Sequence, residues 1–172
     1  EKDKGQFVGL FSAEPKTPDE LIELYQWMTA NYPFVVVEDP MDEIDYEGHA
    51  RVTKALPHIE TVGDDLYTTN PERVKAGAAV SATDAMLLKV NQIGTISEAF
   101  AAVRLCYDNG MGVMPCESRG EGDAIADYTV GLNCGHLREG ALGHTGNRFT
   151  QIEAELGSRA VFAGAKGLMI GD

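Results

Sequence analysis

Five ionisable residues are spaced as if to meet at one place in the fold: Glu38, Asp64, Lys89, Glu117 and Arg138. Each lies at or near the end of an apolar run rich in β-branched residues, except Arg138, which lies within one. They recur at intervals of roughly 25 residues, about one strand-plus-helix unit. Two carboxylates facing each other repel unless a cation intervenes, and oxygen ligands suit a hard ion such as Mg²⁺. Glu38 and Asp64 are therefore the candidate metal ligands. Lys89 follows Met86, Leu87 and Leu88 in "AMLLKV". A lysine beside such a cation, partly withdrawn from water, favours its neutral amine and can act as a base. The cation would stabilise a carboxylate substrate as its dianion when the α-proton is removed. Taken singly, each residue has a plainer reading. A strand-end lysine reaches for solvent, Glu38 and Asp64 cap the loops that follow, and Glu117 and Arg138 form a surface pair. Recurrence at successive strand ends is what favours a common site.

The elements that must position these residues alternate. Thr17, Pro18 and Glu20 make a capping box with proline in the first turn, and Leu21, Leu24, Tyr25 and Met28 follow at helical spacing. Strands are expected over 34–40, 58–65, 85–90 and 112–117, with a short fifth over 136–142. Helices are expected over 46–56, 71–80, 123–133 and 147–156. Another begins at the Thr95–Glu98 box and ends at Gly110, with Ile96, Phe100, Val103 and Tyr107 on one face. Strand–helix alternation implies a parallel sheet with helices outside, either closed as a barrel or open and doubly wound. In a parallel barrel the carboxyl ends of the strands carry the chemistry, because they are ringed by loops and open to substrate. No linker divides residues 1–172, so a single domain is expected.

Composition narrows the partners. The chain has 172 residues, 44% of them hydrophobic, and a net charge of −13 with no basic cluster. Nucleic acid and anionic membranes are poor partners for such a surface. Cys106, Cys116 and Cys134 are odd in number and widely spaced, which points to a reducing compartment, hence the cytoplasm, rather than a disulfide framework. Cys134 and His136 lack the companions that a zinc site needs. No apolar run reaches the length of a membrane span, and the first residues do not read as a signal peptide.

Longer motifs add a family. "VVVEDPMDEIDYEGHARVTK", "TVGDDLYTTNPERV", "LLKVNQIGTISEAFAAVRL", "IADYTVGL" and "IEAELGSRAVFAG" resemble segments of enolase over nearly the whole chain. The resemblance implies an α/β fold, the C-terminal part of an enolase-type (β/α) TIM barrel. About five βα units would be present, with the capping domain and first barrel strands absent. It also implies a carbon–oxygen lyase of glycolysis, commonly a homodimer or larger homo-oligomer. Glu38 and Asp64 would bind Mg²⁺. Lys89 would take the C2 proton of 2-phosphoglycerate, which becomes phosphoenolpyruvate by loss of water.

The resemblance has two departures. The family's Ser-His-Arg-Ser-Gly loop becomes Cys116-Glu117-Ser118-Arg119-Gly120. Glu117 stands at the histidine position, and Ser118 and Arg119 appear in exchanged order. The family's Lys-Thr-Gly becomes Arg138-Glu139-Gly140, and a planar guanidinium is not equivalent to an ammonium. Glu117 would then be catalytic, and Ser118, Arg119 and Arg138 would bind substrate. A glutamate beside a phosphate opposes it by like charge. A paralogue acting on a different carboxylate or phosphonate therefore stays open, as does a non-catalytic relative.

Overall fold

Among the described residues, four short parallel strands form one sheet: β1 (Val36–Glu38), β2 (Glu60–Gly63), β3 (Ala85–Leu88) and β4 (Gly112–Pro115), in the order β1-β2-β3-β4. The computed structural model describes residues 5–9, 13–139 and 142–170. Parallel neighbours need a crossover, and helices supply each one. After α1 (Pro18–Asn31) come α2 (Tyr46–Ala55) between β1 and β2, and α3 (Pro71–Val80) between β2 and β3. A single turn, α4 (Val90–Ile93), and α5 (Ile96–Asp108) lead to β4, followed by α6 (Ala124–Gly131) and α7 (Gly143–Leu156).

Local chemistry starts these helices where the sequence says. The Thr17–Glu20 capping box is complete in both directions. Asp45 accepts from the Gly48 amide at 2.8 Å. Asn70 accepts from the amides of Glu72 and Arg73, and Thr95 from that of Glu98 at 3.2 Å. Each bond satisfies an amide that the first helical turn leaves unpaired.

Every residue of β2, β3 and β4 is buried, as a parallel sheet covered on both faces requires. Val62, Ala85, Leu87, Met114 and Cys116 pack together on one face. Met86, Leu88 and Val113 join Tyr67, Val74, Ala99, Ala102, Val103 and Cys106 on the other. The register sets Glu38 beside Val62, Gly63 beside Met86, and Leu88 beside Pro115. All four carboxyl ends therefore lie at one rim.

Three expectations change. The described part of the expected fifth strand, residues 136–139, is not a strand: it meets β4 through one parallel bridge, Cys116 to Arg138, with the Arg138 amide donating to the Pro115 carbonyl at 2.9 Å. Gly135 at φ 81 and Glu139 at φ 60 turn the backbone away on either side, so no long extended run forms between them. Gly140 and Ala141, within that expected strand, lie outside the described residues. The buried face of α5 is Ala99, Ala102, Val103 and Cys106, while Ile96, Phe100 and Tyr107 are exposed. Small residues let α5 approach the sheet and α3. The large ones reach sideways: Phe100 meets Tyr128 edge to face, and the Tyr107 hydroxyl donates to the Leu132 carbonyl. Finally, α7 begins four residues earlier than the Asn147 expected from sequence.

Candidate active site

Glu38 is the last residue of β1, while Asp64 and Lys89 each follow directly on β2 and β3. That places three charged side chains on neighbouring strand ends. Asp64 and Lys89 are 7% and 4% exposed, and the Lys89 ammonium pairs with Asp64 Oδ2. The lysine backbone is fixed as well. Its amide donates to Thr69 Oγ1 at 3.0 Å, and that hydroxyl donates to the Leu87 carbonyl at 3.1 Å. The other Asp64 oxygen, Oδ1, is buried and has no hydrogen-bond partner among the described residues. An orphaned buried carboxylate oxygen is costly unless something positive meets it.

Glu38 lies across from Asp64. Arg138 Nε reaches Glu38 Oε2 at 2.8 Å, which ties the segment after α6 back to β1. Arg138 also donates to Cys116 Sγ at 3.4 Å and lies 3.7 Å from Glu139. Burial raises the Glu38 carboxyl above its ordinary value; Arg138 opposes the shift, and the charges of Asp64 and Asp39 reinforce it. For Arg138, burial works against the charged form, but Glu38, Cys116 and Glu139 outweigh it and hold the guanidinium firmly protonated.

One carboxylate of the cluster was not anticipated. Asp39 stands beside Glu38, and ligand atoms of Glu38, Asp39 and Asp64 all lie within 4.8 Å of one another. Burial raises the Asp39 carboxyl too, against three backbone amides that lower it. Glu38 and Asp64 form an oxygen-only, partly buried donor set, with one unpaired oxygen on Asp64. A hard divalent cation such as Mg²⁺ fits it.

The other expected residues are less gathered. Glu117, Ser118 and Arg119 form the turn after β4, with Glu117 half-buried and the other two exposed. Ser118 is tied to Cys116, whose Sγ lies 3.2 Å from the serine Oγ and accepts from its amide at 3.3 Å. Asn91, in α4, donates to the Arg119 carbonyl. Among the described residues, neither the Glu117 carboxylate nor the Arg119 guanidinium makes a hydrogen bond or ion pair. Thr69, Asn91 and Asp39 escape a sequence reading, because their roles depend on contacts across the rim. Only the place of Asp39 next to Glu38 could have drawn notice.

Residues 11–170 match the family described as "Enolase, C-terminal TIM barrel domain". The chain belongs to the enolase family. The curated relatives carry the same name. An enolase of Methanococcus aeolicus is 42% identical over 163 residues, covering 91% of this chain and 38% of that protein. An enolase of Pyrococcus furiosus is 44% identical over 155 residues, covering 86% and 36%. One of Thermococcus kodakarensis is 40% identical over 172 residues, covering 95% and 40%. The chain thus spans no more than 40% of the length of these relatives. The fold agrees with an enolase C-terminal barrel portion: among the described residues its four parallel strands form an open sheet, not a closed barrel.

Proposed function

We propose that this chain carries the metal- and base-bearing part of an enolase, a lyase that converts 2-phosphoglycerate to phosphoenolpyruvate. The observation that carries this reading is the meeting of Lys89 with Asp64, one strand away from Glu38. Glu38 and Asp64 would hold Mg²⁺. When bound, the ion would stabilise negative charge building on the substrate carboxylate. Lys89, buried and aimed at the same rim, would remove the proton next to that carboxylate as a general base. The Thr69 hydroxyl holds the lysine backbone while this happens. Arg138, and Arg119 from its exposed turn, would supply positive charge to the anionic end of the substrate.

The test uses the full-length protein with Mg²⁺ and 2-phosphoglycerate in deuterium oxide. Deuterium should enter at C2, phosphoenolpyruvate should form, and Lys89→Ala should abolish both. Absence of exchange and turnover in the unsubstituted protein would exclude ordinary enolase activity.

A second reading keeps the proton-abstraction half and changes the substrate to another carboxylate or a phosphonate. It is supported by half-buried Glu117, a negative side chain in the turn whose family counterpart meets phosphate, and by the altered neighbours Ser118 and Arg119. We further infer a homodimer or larger homo-oligomer, which sedimentation of the full-length protein tests.

A further inference from the structure

The turn that carries Asp64 is held by a side chain from the neighbouring strand. Asp39 directly follows β1 and adopts a left-handed backbone, φ 42. Its amide donates to the Val62 carbonyl at 3.0 Å, extending the β1–β2 ladder by one residue. Its carboxylate then reaches across to β2. Oδ1 accepts from the amides of Asp64 at 3.0 Å and Leu66 at 3.4 Å, and Oδ2 accepts from that of Asp65 at 2.8 Å. Three successive N–H groups thus converge on one anion, and the chain fills this nest from within.

Asp39 is enclosed from behind as well. His49, in α2, is fully buried. Its Nδ1 lies 2.8 Å from the Asp45 carbonyl, so Nδ1 bears the hydrogen and donates. Its Nε2 lies 4.0 Å from Asp39 Oδ1 and has no hydrogen-bond partner among the described residues.

We propose that Asp39 is a positioning residue that aims Asp64, and not itself a cation ligand, although its carboxylate lies beside the two that would be. The proposal rests on reading Glu38 and Asp64 as cation ligands. A carboxylate has about four lone-pair sites, and amides occupy three of those on Asp39. Swinging toward an ion would strip partners from the amides of Asp64 and Leu66, both buried residues, and from that of Asp65. The left-handed backbone of a non-glycine residue persists because its surroundings over-determine it, and the three amide bonds are what do so here. With the turn clamped, Asp64 presents Oδ2 to Lys89 and keeps Oδ1 unpaired. Released, the turn would pivot and the aspartate would lose its alignment with both Glu38 and Lys89.

Amide hydrogen exchange on the full-length protein, read residue by residue and with Mn²⁺ as the probe ion, tests this. Without metal, the amides of Asp64, Asp65 and Leu66 should be protected, and Asp39→Ala should speed their exchange at least tenfold. The same change should weaken Mn²⁺ binding by about 10–100-fold, as loss of a group that orients a ligand does. Asp39→Asn keeps a carbonyl acceptor and should fall between. In the unsubstituted protein, adding Mn²⁺ should leave the three amides as protected as before. Faster exchange there on adding Mn²⁺ would mean that Asp39 has left the amides for the ion, and the proposal would be wrong. An Asp39→Ala protein with unchanged exchange and unchanged Mn²⁺ affinity would overturn it equally. The metal-free comparison does not depend on the catalytic reading, and the Mn²⁺ comparison needs no variant to fold.

Discussion

Lys89 and Asp64 form a buried ion pair across the carboxyl ends of β3 and β2. The two are 25 residues apart in sequence and adjacent in the sheet. Neither has much water to solvate it, so each depends on the other. Truncating one strands a buried charge.

Lys89→Ala in the full-length protein should therefore cost about 3–5 kcal/mol of stability, the range for breaking a buried pair. Asp64→Asn on top of it should recover part of the loss, because no unpaired charge is then left. Urea titrations of the two single variants and the double variant measure the coupling. Additive losses would show that the pair is not buried in solution.

Gly77 should not tolerate a methyl group. A Cβ there would lie 2.5 Å from Tyr67 Oη and closer still to its ring. Tyr67 is fully buried, and its hydroxyl is bonded to Thr83 Oγ1 at 2.9 Å, so the ring cannot yield. Gly77→Ala gains up to about 1 kcal/mol of helix propensity. Overpacking should outweigh that gain and leave the protein less stable by about 1–3 kcal/mol in denaturant titration.

Stability should also depend on His136. Its imidazole lies 2.9 Å from the fully buried Glu60 carboxylate. Burial alone would push the histidine down, but Glu60 and the Cys134 carbonyl raise it above its ordinary value near 6.5. A raised histidine binds its proton more tightly folded than unfolded. Its contribution is complete below about 6.5, the unfolded value, and is lost as pH rises through the higher folded value. His136→Gln should thus be more destabilising at pH 6 than at pH 9. Equal losses at both would show that the pair contributes no proton linkage.

Restoring the family pattern after β4 tests the substrate. The quadruple change Cys116→Ser, Glu117→His, Ser118→Arg and Arg119→Ser removes one negative charge from the turn and returns the arginine to its family place. A rise of about tenfold in kcat/KM for 2-phosphoglycerate is expected, equal to about 1.4 kcal/mol in the transition state. Unchanged kinetics would mean that Glu117 points away from the substrate.

What the sequence displayed and what it hid differ for physical reasons. The gathering of Glu38, Asp64 and Lys89 at one rim is legible because each ends an apolar strand, and strand ends share one rim in a parallel sheet. Helix starts at Thr17, Asn70 and Thr95 were legible because capping is local. The buried face of α5 is hidden in the sequence because close packing against α3 selects Ala99 and Ala102 rather than the larger apolar side chains. The fifth strand failed on backbone angles, and nothing about Glu139 announces a positive φ. Asp39 is not legible in the sequence because its partners lie one strand away.

Laying the strands side by side in chain order has an evolutionary corollary. Each strand end hands its chemistry to a loop of its own, so one loop can be rewritten while its neighbours keep their geometry. The turn at 116–120 can therefore change while Glu38, Asp64 and Lys89 keep their places, and novelty need not begin with a new fold.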